Sequence, residues 1–431
     1  MIDELIVHIG MHKTGSSSIQ ETFSKKEFSE LEYLKVSKGS GYPNLSGFVS
    51  TAFLNAPERY HTHVKNGRTR TEVKLLQERY LKELSEVLRG CRSKRALISA
   101  EDLSAPNWSL SERRNFLDFI SRFTRSVRVI GYVRPPAGFM ASAFQQILKG
   151  GAMLSLDNPN LWPFYRERFE PWIDLLGKDR VELVLFDKNS LLKGDVVLDF
   201  AERLGVTLAP SEIFRVNESL SIEATALLYI FRKYQKKEPY NQYSGDNNRL
   251  MTALYKIGAH KFCFSYDLTS SFIKRNQMDM NWINEQLETP VQDNSREKDF
   301  MIDSEQALYE LACENRRELW QAIEGETGAP MEESGAAELI DRMRVAFSSD
   351  SLVHCPNHSG RGSSASHMFS EFQNPQLTPA EILRQAAGLF AQVEPKVAEG
   401  LRMSATRAER KMAQNREALL KENSSSQDKG Q

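Results

Sequence analysis

The nine residues from Gly10 to Ser18 constrain this chain more than any other segment, because they join a short apolar run to helical sequence. The run before them, residues 5–9, reads LIVHI and predicts a strand. Two glycines five positions apart, Gly10 and Gly15, let the backbone curl closely around a ligand. The N–H groups at the start of the following helix would face an anion. A strand, a glycine loop and a helix in this order predict a phosphate-binding loop.

The loop departs from the nucleotide-triphosphatase pattern G-x-x-x-x-G-K-[ST] at one position. Ser16 stands where that pattern has its lysine, and the lysine of this loop is Lys13. The displaced lysine argues against an ATPase. An ordinary Gly/Ser turn with a solvated lysine is the alternative, since short motifs match by chance. The context of strand, loop and helix favours the phosphate loop.

A second anion site is predicted where a later strand ends. Arg134 closes the strand predicted at residues 127–133, Pro135 and Pro136 open a helix, and Ser142 follows about two turns into it. An arginine fork and a hydroxyl at this spacing could grip one phosphate group. Each feature alone is ordinary, but two anion sites on one sheet indicate a ligand with two separated phosphate groups.

The N-terminal half alternates strand and helix signals. Further strands are predicted at residues 96–99, 127–133 and 181–186, and residues 73–87 carry apolar side chains at helical spacing before Gly90. Such alternation predicts an α/β fold of the phosphate-loop type, in which a parallel sheet is flanked by helices.

Four regions are predicted along the chain. Residues 1–215 form the α/β core, and residues 216–345 form a helical cap that completes it. Residues 346–377 are rich in Ser, Gly, His and Asn and predict a flexible linker. Residues 378–431 begin with TPAE, a helix-capping sequence, and predict a helical tail. Helical signals within the cap occur at residues 224–234, 250–257 and 306–323.

Composition excludes several classes of protein. Lys and Arg number 56 against 57 Asp and Glu, a formal net charge of −1, so no global basic field points to nucleic acid. Acidic Asp3 and Glu4 stand where a signal peptide needs basic residues, and no apolar stretch approaches membrane-spanning length. A cytoplasmic protein without a transmembrane segment is therefore expected.

The four cysteines show no paired CxxC spacing, and no metal site is predicted.

The two motifs together resemble those of the sulfotransferases that use 3′-phosphoadenosine 5′-phosphosulfate (PAPS). In that family a loop of the form HKTGTT or PKSGTT holds the 5′-phosphosulfate, and a strand ending in Arg, with Ser eight residues on, holds the 3′-phosphate. The segment from Lys13 to Ser17 is similar to the first motif, with serines for the two threonines, and Arg134 with Ser142 is similar to the second. The loop looks most like that of bacterial members.

The resemblance implies a set of binding residues and a set of catalytic ones. Lys13 would stabilise charge on the departing 5′-phosphate. Glu101, just past the second predicted strand, is the first candidate to take the acceptor's proton, and His12 is the second. Glu101 could equally be an acid that stabilises a helix start, and His12 a loop histidine that orients its neighbours. The PAPS-binding residues would be Gly10, His12, Lys13, Thr14, Gly15, Ser16, Ser17, Arg134 and Ser142.

The resemblance implies direct in-line transfer of the sulfuryl group from PAPS to an acceptor hydroxyl, without a metal. The acceptor is expected to be a carbohydrate or a cell-surface glycan precursor, by analogy with bacterial relatives. The helical tail could pair with a second copy or with a partner. Two other functions stay open: a nucleotide-dependent kinase or NTPase, and a non-catalytic binding or assembly protein on a degenerate fold.

Overall fold

A computed structural model describes residues 1–36, 43–216, 219–234, 245–291, 301–312 and 314–315. The predicted linker, 346–377, and the predicted tail, 378–431, lie outside the described residues. These two regions and the boundary between core and cap therefore stay predictions.

A sheet of five parallel strands organises the described residues, and it confirms the predicted fold class. Its order is β2-β3-β1-β4-β5, so the first strand lies in the middle. Three of the strands after β1 were predicted. The short β2 was not, because three residues are too few to show alternation. The strands are β1 Ile2–Gly10, β2 Leu31–Tyr33, β3 Arg95–Ser99, β4 Thr124–Val133 and β5 Val181–Leu185.

Helices follow the strands, as the alternation of signals predicts. Those of the described residues are α1 Ser16–Lys25, α2 Ser46–Phe53, α3 His61–Lys65, α4 Arg70–Gly90, α5 Leu110–Ile120, α6 Pro136–Lys149, α7 Tyr165–Leu176, α8 Val196–Arg203, α9 Ile222–Tyr234, α10 Gly245–Leu254, α11 Tyr266–Arg275 and α12 Gln277–Gln286.

Apolar side chains from the sheet and from two helices form the core beside the glycine loop. Ile6 and Ile130 of neighbouring strands pack in one buried cluster with Phe23 of α1 and Phe200 of α8. The two phenylalanine rings meet edge to face at 5.2 Å. Burying a side chain of this size contributes about 1.5–3 kcal/mol. This packing anchors α1, and therefore the loop that precedes it, to the sheet.

Helices α6 and α9 are tied together next to the second predicted anion site. Gln145 of α6 donates hydrogen bonds of 2.8 Å to Leu220 O and to Thr225 Oγ1. The helical signals at 224–234 and 250–257 are confirmed by α9 and α10, although α10 ends at Leu254 rather than at 257. Residues 305–312 are helical, and the rest of the signal at 306–323 lies mostly outside the described residues.

Candidate functional site

The glycine loop turns sharply between β1 and α1. Gly10 and Gly15 have φ of +69° and +78°, values that favour glycine. A Cβ on Gly10 would lie 2.9 Å from Cβ of Glu101, and one on Gly15 would lie 2.7 Å from Cγ1 of Val196. Both positions therefore require glycine for the backbone angle and for space. Lys13 also has a positive φ, +66°, which costs a non-glycine residue about 1 kcal/mol or more.

Helix α1 begins directly after Gly15, and the first N–H groups of the helix and the Ser16 hydroxyl lie at this end. No side chain caps its first turn. The Ser16 hydroxyl is buried, and no described residue meets hydrogen-bond geometry with its Oγ. Thr14, by contrast, donates its hydroxyl hydrogen to Met11 O at 2.6 Å. The helix dipole, the first N–H groups and Ser16 thus favour an anion at this end.

One cavity, of about 570 Å³, is lined by both predicted anion motifs. Strands β1 and β4 are neighbours, so their carboxyl ends open on the same crevice. Gly10 and Thr14 do not line this cavity, although the sequence suggests them as binding residues. The predicted site residues that do line it are His12, Lys13, Gly15, Ser16, Ser17, Glu101, Arg134 and Ser142. We call this space the first cavity.

Arg134 links the two motifs directly. Its Nη1 donates to the carbonyl oxygen of Lys13, so the strand-end arginine supports the glycine loop. Burial lowers the pKa of the Arg134 guanidinium to about 10, which leaves it charged at neutral pH. A Cβ on Gly138 would lie 3.1 Å from Arg134 Nε, so the glycine in the first turn of α6 leaves room for the guanidinium.

His12 is held by an acid that the sequence does not single out as a site residue. His12 Nε2 lies 2.8 Å from Asp102 Oδ1, and the Tyr60 hydroxyl donates to Asp102 Oδ2 at 2.7 Å. Burial disfavours the Asp102 carboxylate, but hydrogen bonds from His12 and Tyr60 outweigh burial and lower its pKa. The ionised Asp102 therefore holds a hydrogen on Nε2 of His12. The other ring nitrogen, Nδ1, keeps its lone pair when the ring is neutral.

Glu101 directly precedes Asp102 in the chain and lies in a turn of 3-10 helix that follows β3. Strand β3 pairs with β1, as the sequence predicts for Glu101 to reach the site. Burial raises the pKa of the Glu101 carboxyl more than the nearby His12 lowers it. This carboxyl group therefore keeps a proton to higher pH than an ordinary glutamate.

Two residues of this group, Asp102 and Tyr60, are not among the site residues that the sequence predicts. The sequence could have pointed to Asp102, because it is the second member of an acidic pair after a strand. No sequence pattern points to Tyr60.

No protein-family model matches this chain, and no curated protein matches it. Among solved structures, the chain is similar to the sulfotransferase domain from the curacin biosynthetic pathway. The two share 11% identity at a TM-score of 0.28, over 73% of this chain and 98% of that domain. A likeness at this level assigns no function to this chain.

No helix in the described ranges is long and apolar enough to cross a membrane. No three His, Cys, Asp or Glu side chains among those same residues are grouped as metal ligands would be.

Proposed function

We propose that this chain is a sulfotransferase that takes its sulfuryl group from PAPS. One observation carries the proposal: the glycine loop and the Arg134–Ser142 pair line the same cavity. Lys13, Arg134, Lys149 and Arg168 surround that cavity with positive charge, and Glu101 is the acid among its described lining residues. A donor with two separated phosphate groups matches this arrangement.

The residues present fit such a donor. The Ser16 hydroxyl is buried, has no hydrogen-bond partner among the described residues, and lies at an uncapped helix start. PAPS would supply the activated sulfuryl group and a phosphate leaving group. Ser16, Ser17 and the first N–H groups of α1 would hold the 5′ end, and Arg134 with Ser142 would hold the 3′-phosphate. Lys13 would stabilise the charge on the leaving oxygen.

The acceptor hydroxyl needs a group that takes its proton as its oxygen bonds to sulfur. We assign this role to His12, because Asp102 fixes Nε2 and leaves Nδ1 to accept the proton. Asp102 would stabilise the imidazolium that forms. Glu101, which lines the same cavity, is the second candidate.

The proposal is tested by calorimetric titration of the full chain with adenosine 3′,5′-bisphosphate. We expect binding that weakens roughly ten- to a hundredfold in Arg134→Ala, the cost of losing a charge-assisted contact. Arg114→Ala, which removes an exposed arginine on α5, is the matched control and should bind as the wild type does. Tighter binding of magnesium ATP than of the bisphosphate would contradict the proposal and favour a kinase or an NTPase.

A further inference from the structure

Arg168 on α7 is a buried arginine of the first cavity that belongs to neither anion motif. Its residue is 6% exposed, and it lines that cavity. Its Nε donates to Pro163 O, and its Nη1 donates to Ser104 O at 3.2 Å. The remaining guanidinium nitrogen, Nη2, donates to no residue that the structure describes. One donor group of a buried cation is therefore left for a ligand.

No carboxylate within the described ranges forms an ion pair with the Arg168 guanidinium. Asp279 and Glu167 favour its charged form, but burial outweighs them and lowers the pKa of Arg168 to about 10. Asp279 is already engaged, because it accepts hydrogen bonds from Trp162 Nε1 at 2.6 Å and from Tyr165 N at 2.9 Å. Arg168 thus stays charged at neutral pH, and a buried charge without a counter-ion is costly. An anionic ligand would supply that counter-ion.

Arg113 on α5 is a second buried arginine, and its contacts provide a comparison. It is 1% exposed and does not line the first cavity. Each of its three guanidinium nitrogens donates to a carbonyl oxygen: Nε to Leu103 O at 3.4 Å, Nη1 to Trp108 O, and Nη2 to Ala105 O at 2.9 Å. Arg113 is therefore fully used by the fold. Arg168 differs from it, because Arg168 reaches the cavity and its Nη2 lacks such an acceptor among the described residues.

Arg168 lies beside the arginine of the second anion motif. Its Cζ is 5.3 Å from the ring centroid of Phe139, near the start of α6. The preceding residue, Gly138, leaves room for the Arg134 guanidinium. The Tyr165 hydroxyl, three residues before Arg168 on α7, donates to Arg134 O at 2.6 Å. The two guanidinium groups therefore pack against neighbouring residues of one helix start.

Resting on the proposed function, we propose that Arg168 is a specificity-determining residue of the donor site, whose Nη2 binds the 3′-phosphate together with Arg134 and Ser142. A phosphate group has several acceptor oxygens. Arg134 also donates to Lys13 O, so it leaves some of those oxygens to a second guanidinium. The cost of burying the Arg168 charge is then offset only by a donor that carries this phosphate. The chain should therefore distinguish adenosine 3′,5′-bisphosphate from adenosine 5′-monophosphate.

The test is calorimetric titration of the full chain with these two nucleotides. We expect the wild type to bind the bisphosphate more tightly than the monophosphate. Arg168→Met, which keeps a long side chain and removes the charge, should weaken bisphosphate binding roughly ten- to a hundredfold, the worth of a charge-assisted contact. It should leave monophosphate binding nearly unchanged. Equal weakening for both nucleotides, or no weakening for the bisphosphate, would overturn the proposal.

Arg113→Met is the matched control, because Arg113 and Arg168 hold the same turn, residues 103–105, and only Arg168 lines the first cavity. This variant should bind both nucleotides as the wild type does. If it weakens bisphosphate binding as strongly as Arg168→Met, the turn carries the effect and the proposed phosphate contact is wrong.

Arg168→Lys decides the test if Arg168→Met does not fold. It keeps the charge but loses the planar fork, so bisphosphate binding should weaken less than in Arg168→Met, again without a change for the monophosphate. A weakening shared by both nucleotides would contradict a contact with the 3′-phosphate.

A double-mutant cycle tests whether Arg134 and Arg168 bind the same phosphate group. The combined variant of Arg134→Ala and Arg168→Met should lose less bisphosphate affinity than the two single losses predict, because residues that share one partner are not independent. Additive losses would place Arg168 on a different group and overturn the assignment.

The outcomes for the two proposals can be told apart. A wild type that binds neither nucleotide would refute the proposed function, and the role of Arg168 with it. Equal binding of the two nucleotides by the wild type would count against both. If the wild type prefers the bisphosphate and Arg168→Met keeps that preference, the proposed function stands and the role of Arg168 fails.

Discussion

The residue that best explains the proposed chemistry is Asp102, because it converts a loop histidine into an oriented base. It lies 90 positions from His12 in the sequence, yet the two side chains are 2.8 Å apart. The Tyr60 hydroxyl bonds the other carboxylate oxygen and helps to keep Asp102 ionised. A histidine whose Nε2 is fixed in this way presents Nδ1 in one direction.

Substitutions of His12 and Glu101 should separate the two candidate bases. His12→Ala is expected to lower kcat roughly 10²- to 10⁴-fold, the usual contribution of a general base, with bisphosphate Kd nearly unchanged. Glu101→Gln, which keeps size and removes the proton acceptor, should retain more than about a tenth of kcat. Measured under conditions where chemistry limits the rate, the reverse ranking would assign the proton to Glu101.

Lys13 and Ser142 should affect different kinetic constants. Lys13→Ala is expected to lower kcat, because its charge matters most when the leaving oxygen becomes negative. Ser142→Ala is expected to weaken bisphosphate binding with less effect on kcat, because the 3′-phosphate does not react. Initial-rate kinetics and titration calorimetry measure the two effects. A Lys13 variant that loses affinity and turnover equally would show that the lysine binds the ground state as strongly as the transition state.

At the scale of elements, the site depends on how strand, loop and helix are joined. Gly15 ends the loop and precedes α1, and its Cα faces Val196 at the start of α8. The packing of Phe23 on Phe200 brings α1 and α8 together, so the loop has no space for a side chain at this position. The proposed donor site is therefore shaped by helix packing as well as by the loop itself.

Gly15→Ala should lower the free energy of unfolding by about 2 kcal/mol or more, because it adds both backbone strain and a clash. Gly67→Ala is the matched control, since Gly67 has φ of +60° but nothing within 4 Å of its added Cβ. It should show only the strain, about 1 kcal/mol. Urea denaturation gives both values. Equal losses in the two variants would show that the contact with Val196 is not restrictive.

At the scale of the whole molecule, a buried histidine links stability to pH. His8 lies at the centre of the sheet, its Nδ1 is 2.8 Å from Ser99 Oγ, and its Nε2 has no hydrogen-bond partner among the described residues. Burial lowers the pKa of His8 from 6.5 to about 3. The folded chain therefore resists protonation here, whereas the unfolded chain accepts a proton below pH 6.5.

The free energy of unfolding should consequently fall as pH falls from 6.5 towards 3, with His8 contributing a loss of about 2 kcal/mol at pH 5. The lowered pKa values of His61 and His63 act in the same direction, and the raised pKa of Glu101 acts in the opposite one. Comparing the pH slope of the wild type with that of His8→Gln isolates the His8 contribution. An unchanged slope would contradict it.

The sequence by itself determined the glycine loop that ends at Gly15, its flanking strand and helix, the parallel α/β class, and the strand end and following helix that carry Arg134 and Ser142. These features depend on short-range rules: glycine's backbone freedom, the periodicity of strands and helices, and the meeting of parallel strands at one edge. Local sequence carries that information because the interacting groups lie within one turn, one strand or one helix of each other.

Only the tertiary structure decided how the site is completed. The contact between His12 and Asp102 joins residues 90 positions apart, and that between Tyr60 and Asp102 joins residues 42 apart. The segment from α2 to α4, which carries Tyr60, shows no sequence pattern that links it to the glycine loop. Sheet order and helix packing bring these groups together, and neither follows from local periodicity.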